Sequence, residues 1–181
     1  IYSNGYTGRS AIYTYLADTL LIDFKENDHK GHFYTWHKYT YSNDGRPLQE
    51  VILNEDSSVF EQLQYHYNNK GQLIDIEVYG GDNYFVNTKH YTYGSEHNQP
   101  TRIAILYEGD YLSSYEQITY DSLGRISSRS YYRDCGGEET NCRRYQKLTY
   151  AYNENGDPVR QWYYERDSLP IYEYRYRNTY Y

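Results

Sequence analysis

Cys135 and Cys142 are the only two cysteines, with Gly136 to Asn141 between them. Two thiols facing each other across a short hairpin loop can meet disulfide geometry, and a bridge there would staple the loop in an oxidising compartment. As a zinc site they fall short, because about four ligands are wanted and no histidine stands nearby. His29, His32 and His37 raise a metal reading of their own. On strands, though, His32 and His37 differ by an odd number and point to opposite faces, so no metal site is assigned. Asp56, Asp82, Asp110 and Asp167 lie in turns without the alternating ligand run of a calcium loop, and turn chemistry accounts for them. No nucleophile stands with a base and an orienter, and no close carboxylate pair marks a cleft. The expectation is a protein that is not an enzyme and needs no cofactor.

The remaining chemical resource is aromatic. Of 181 residues 29 are Tyr, a ring with an apolar body and a hydroxyl that needs a partner or water. Trp36, Tyr84, Trp162, Tyr163 and Tyr164 are candidates for an exposed aromatic face that contacts polysaccharide or a protein partner. The other tyrosines read as cross-strand ladders, each pair contributing about 0.2–1 kcal/mol. The net charge of −7 argues against nucleic acid, whose affinity rests on clustered Lys and Arg. No apolar run approaches the ~20 residues of a membrane-spanning helix.

These residues are positioned by a repeat. Tyr41, Tyr67, Tyr93, Tyr120 and Tyr152 each end an alternating aromatic or β-branched arm and stand 26, 26, 27 and 32 residues apart. Four of them have a glycine four residues on: Gly45, Gly71, Gly124 and Gly156. Each glycine supplies the positive φ of a turn, and an aliphatic residue then starts a returning arm. The third copy departs from this, with His97 and Asn98 where the glycine should be. A period of this length holds two ordinary strands and two turns. Strands are also expected at Ser10–Leu16, Leu20–Phe24 and His32–Tyr41, and no helix is expected. The fold class is therefore all-β: a curved antiparallel sheet built from successive hairpins of about 26 residues, open or partly wound. Residues 1–35 form N-terminal strands that act as a cap. Residues 36–181 hold five repeats and a terminal half-repeat, in one domain overall.

Tyr120-Asp121-Ser122-Leu123-Gly124-Arg125-Ile126 resembles the YD repeat of the Rhs family, Tyr-Asp, two residues, Gly-Arg and an aliphatic. Tyr152-Asn153, Tyr67-Asn68 and Tyr41-Ser42, each with its glycine, keep the skeleton without the Asp. The resemblance covers roughly residues 36 to 176 and implies a continuous β-sheet, which in that family winds into a shell. The chain also resembles short Tyr-rich envelope proteins of Bacteroides-like bacteria, many of them lipoproteins. That likeness implies export to the periplasm or outer surface, with a signal or lipid-anchor segment expected upstream of Ile1. The functional expectation is a non-catalytic envelope protein, binding or structural. The alternatives are an enzyme or accessory acting on envelope glycans, and a fragment of a longer Rhs-like shell.

Overall fold

The computed structural model describes residues 10–16, 20–27, 33–95, 98–166 and 169–176, with only the backbone for Phe33 and Tyr34. Among these residues thirteen strands follow one another in chain order. They are β1 (Ser10–Leu16), β2 (Leu20–Asn27), β3 (Phe33–Tyr41), β4 (Pro47–Leu53), β5 (Val59–Tyr67), β6 (Leu73–Gly80), β7 (Phe85–Tyr93), β8 (Pro100–Tyr107), β9 (Tyr111–Tyr120), β10 (Ile126–Arg133), β11 (Arg143–Tyr152), β12 (Pro158–Glu165) and β13 (Tyr172–Arg175). Two three-residue 3-10 turns are the only helical pieces among the described residues. The all-β antiparallel hairpin architecture expected from the repeat is the one found. Tyr41, Tyr67, Tyr93, Tyr120 and Tyr152 are the last residues of β3, β5, β7, β9 and β11.

The chain divides into two compact units, Ile1–Asn87 and Thr88–Tyr181, with the boundary inside β7. In the first unit β1 to β6 pair antiparallel with their sequence neighbours. In the second, β7 to β13 do the same.

One turn recurs after the anchor tyrosines. The residue following the tyrosine accepts from the glycine amide and donates to the carbonyl four residues on, as in Gly124 N–H to Asp121 O and Asp121 N–H to Arg125 O. Ser42, Asn68 and Asn153 close the same loop. The glycines sit at φ of 80°, 77°, 76° and 87°, a region that L side chains resist. The short polar residue before them is needed too. Asp121 Oδ1 accepts from the amides of Leu123 and Arg125 at 2.9 and 3.0 Å, and Asn68 Oδ1 does so from Lys70 and Gln72. Such side chains stabilise a turn by replacing backbone partners. At the opposite ends of the strands Ser57 and Asn83 take the glycine's place, at φ of 66° and 59°. In the third copy residues 96 and 97, including His97, lie outside the described residues.

Every repeat also carries a bulge one residue into its returning strand, at Leu48, Ile74, Thr101, Ser127 and Val159. The extra residue increases local twist beside the anchor tyrosine. Nine hydrophobic side chains are buried among the described residues, four in the first unit and five in the second, so no thick aliphatic core forms in either. In the first unit these are Leu53, Leu63, Ile76 and Val78. In the second, Ala104, Leu112, Tyr115 and Cys135 cluster together, with Tyr132 packed against them.

Candidate functional site

The alternation of each strand defines two faces. Within each unit the anchor tyrosines share one of them, and their hydroxyls are not open to a ligand. Tyr41 Oη donates to Leu21 O at 2.5 Å, Tyr67 Oη to Pro47 O at 2.9 Å and Tyr120 Oη to Pro100 O at 2.8 Å. Each acceptor lies 20 residues back, on the preceding strand. Tyr152 Oη reaches Ile126 O at 2.8 Å, 26 residues back, because its repeat contains the cysteine loop. Tyr93 opposes Pro100 in register, and burial raises its hydroxyl pKa. The tyrosine therefore ties its repeat to the one before it. The motif's arginine ties it again from the ring side. Arg46 lies over Tyr67 at 5.2 Å and Arg125 over Tyr152 at 4.6 Å, a cation–π geometry. Arg125 Nε also bonds Asp121 Oδ2 at 2.7 Å.

On the tyrosine face of the first unit, Glu50 gathers three partners. His37 Nδ1 is 2.7 Å from Oε1 and Tyr65 Oη donates to Oε2 at 2.9 Å. Tyr39 bonds the same carboxylate. Burial, and then the Glu50 charge, push the hydroxyls of Tyr39 and Tyr65 well above the usual phenol value. In the second unit Glu116 is gripped by Arg129 through both carboxylate oxygens. It lines a cavity of about 350 Å³ with Ile103, Ile105, Ser114 and Tyr131. The two clusters occupy matching places. His37 and Glu116 both stand four residues before an anchor tyrosine, and Glu50 and Arg129 both stand five after the turn glycine. The order of basic and acidic partner is reversed between them. Sequence reading missed both clusters, although opposite charges at equivalent repeat positions were there to be compared.

The aromatic residues singled out from sequence do not form one platform. Trp36 donates Nε1–H to Asp23 Oδ1 at 2.6 Å, and its ring is covered by the ammonium groups of Lys25 and Lys38, each 3.8 Å from the centroid. Tyr84 is 61% exposed, in the turn after β6, where its ring lies against Gly80. On β12, Trp162 and Tyr164 share the face opposite the anchor tyrosines, while Tyr163 points the other way, against Tyr172 at a centroid distance of 5.9 Å. Beyond it the four residues of β13 are all exposed. His29, His32 and Asp167 lie outside the described residues, which hold no group of three or more candidate metal ligands. Asp56 accepts from the Ser58 amide at 2.9 Å, within its own turn.

Cys135 and Cys142 form a disulfide. Cys135 is wholly buried, and Gly137 bridges to Leu112. The loop thus folds onto the face opposite the tyrosines. There Glu139 of the loop accepts from Arg102 Nη2 at 3.2 Å, and the Arg102 guanidinium lies 4.6 Å over the Tyr115 ring. Thr92, Thr101, Gln117 and Thr119 continue this region into a groove of about 460 Å³.

These features define an all-β hairpin-repeat protein in which tyrosine, turn glycine and arginine fasten successive copies. Among solved structures, the chain is similar to TcdB2-TccC3, with a TM-score of 0.51 and 16% identity over 91% of this chain and 10% of that one. It is also similar to a porin-like protein from Bacteroides uniformis, with a TM-score of 0.54 and 12% identity over 91% of this chain and 73% of that one. The chain thus spans about a tenth of the length of the TcdB2-TccC3 chain. At these identities the likeness is one of fold. No family profile and no curated protein matches the sequence. No helix among the described residues is long and apolar enough to cross a membrane.

Proposed function

We propose that this chain is a non-catalytic, exported repeat protein of the bacterial cell envelope. It holds a polysaccharide or a surface protein on a sheet whose repeat residues serve the scaffold. The observation that carries this reading is the commitment of the ionisable and hydroxyl groups of the tyrosine face. Four anchor hydroxyls bond backbone carbonyls, and Glu50 and Glu116 are each held by neighbouring side chains. Groups satisfied in this way stabilise a sheet and are not themselves free to act as base or nucleophile. Rings for a partner remain on β13 of the second unit, where Tyr172 and Tyr174 are 59% and 56% exposed. Exposed rigid rings contribute contact area at low entropic cost. The fold likeness to a Bacteroides porin-like protein supports the envelope location.

A glycan array and a polysaccharide pull-down with the purified chain test the reading. A variant with Trp162, Tyr172 and Tyr174 changed to Ala is run beside it, and both are checked by circular dichroism. Ring-dependent capture is the expected result. Turnover of a glycan by the purified chain would refute the non-catalytic assignment. A second reading, a segment of a longer Rhs-like shell, is favoured by the similarity that covers 91% of this chain within TcdB2-TccC3.

A further inference from the structure

The groove beside the cysteine loop lies on the face opposite the anchor tyrosines, and its chemistry is specific. Its floor is short and polar: Thr92, Thr101, Gln117 and Thr119 lie on the face opposite the anchor tyrosines. Its wall is Glu139, presented by the disulfide loop. A volume of about 460 Å³ falls in the range of roughly 300–1,000 Å³ found for ligand sites. Arg102 is the group with unused capacity. A guanidinium carries five N–H donors, and the one bond it makes goes from Nη2 to Glu139. Its Nε is buried with no acceptor, although the face of the group is fixed by Tyr115. A buried polar group left unpaired in a folded protein calls for an explanation such as a ligand or bound water.

Charge narrows the class of ligand. Arg102 and Glu139 cancel, so the groove neither attracts an anion nor attracts a cation strongly. What it presents is a mixture of hydroxyl, amide, guanidinium and carboxylate groups that both donate and accept, beside the Tyr115 ring. A neutral sugar, whose hydroxyls donate and accept around an apolar ring of C–H groups, has the matching pattern. We propose that this groove binds one or two residues of a neutral glycan, with Arg102, Glu139 and Gln117 meeting its hydroxyls. The proposal rests on the binding reading above and gives it a location.

The test is a titration of the whole chain with cellobiose, maltose and N,N′-diacetylchitobiose, followed by calorimetry and by amide chemical shifts. Expected are saturable shifts at Arg102, Gln117 and Thr119 with at least one of the three sugars. Arg102→Ala should bind about tenfold more weakly, the loss of one charge-assisted hydrogen bond, and Arg102→Lys should be intermediate. Circular dichroism monitors folding, and Gln117→Ala, on an exposed side chain, gives a second variant that leaves the scaffold intact. Tyr172→Ala with Tyr174→Ala should leave the shifts at Arg102 unchanged. If glycan binds but the groove variants keep full affinity and the shifts fall on β12 and β13, the groove is refuted while glycan capture stands. If no sugar and no polysaccharide binds the intact chain, both fall.

Discussion

Tyr152→Phe isolates the tie between repeats, because it removes one hydroxyl and keeps the ring. That hydroxyl donates to Ile126 O at 2.8 Å in a part-buried position, while the ring under Arg125 is unchanged. A neutral hydrogen bond contributes about 0.5–1.5 kcal/mol net, and a desolvated carbonyl left without its donor costs about 1–3 kcal/mol. The Ile126 carbonyl is only partly shielded, so the lower part of the combined range applies. A loss of about 1–2 kcal/mol is expected, equivalent to a fall in Tm of roughly 2–8 °C. Urea and thermal unfolding by circular dichroism measure it. Tyr84→Phe is the control, since its ring is 61% exposed in a turn, and it should leave stability unchanged. Equal stability of Tyr152→Phe and the parent chain would refute the idea that the anchor hydroxyl joins successive copies, and would return these tyrosines to simple ring packing.

Gly71→Ala puts a Cβ at φ +77° and 2.9 Å from Arg46 Nη1, so a loss of about 1–2 kcal/mol is expected. Ser57→Gly, at φ 66°, should instead stabilise by up to about 1 kcal/mol, and urea midpoints decide both. Replacing Cys135 and Cys142 together by Ala opens a loop of sequence separation 7. The expected cost is about 2–3 kcal/mol, read as a lower urea midpoint that reductant no longer affects. Burial holds the hydroxyls of Tyr39, Tyr65, Tyr91 and Tyr150 above their usual value. The native state therefore keeps protons that the unfolded chain releases near pH ~10. Stability is then fully present below that pH and lost as pH rises through the native values. Tyrosinate absorbance followed together with circular dichroism should show late ionisation coupled to unfolding. Glu50→Gln should move the ionisation of Tyr39 and Tyr65 downward, and a single transition near pH ~10 with the fold intact would contradict the assignment.

The strands were legible where residue type and spacing act along the chain. Ser10–Leu16 is a strand with the bounds its alternation suggests, and each anchor tyrosine ends one. What spacing does not carry is the partner across the sheet. That Tyr152 reaches Ile126 and not another carbonyl depends on register, on a six-residue longer loop and on a register shift at Tyr131/Tyr132, which no residue type announces. His37 stood out as a possible ligand because histidine is rare here. Its actual partner, Glu50, lies 13 residues away on the next strand, diagonal to it and invisible without the pairing. The adjacent Trp162, Tyr163 and Tyr164 looked like one aromatic cluster, but a strand's period of two divides them between faces. Trp36 was closer to legible, since Lys38 stands two residues on along the same face.

A chain of similar hairpins has to prevent one copy from taking another's place, because matching turns and tyrosines make every exchange nearly equivalent in hydrogen bonding. The diagonal on the tyrosine face distinguishes the copies. In the first it holds His37 and Glu50, in the second Leu63 and Ile76, in the fourth Glu116 and Arg129. Setting the fourth copy's first arm beside the first copy's second arm would bring Glu116 against Glu50, two half-buried carboxylates that disfavour each other's charged form. Setting the second copy's first arm in place of the first copy's would put Leu63 where His37 stands and take that partner from Glu50, at a cost of several kcal/mol when desolvated. Correct order alone satisfies all three pairs. Each pair joins the two arms of one copy, so the reversed acid–base order specifies which first arm a returning arm accepts, a choice that a tyrosine and glycine skeleton common to every copy leaves open.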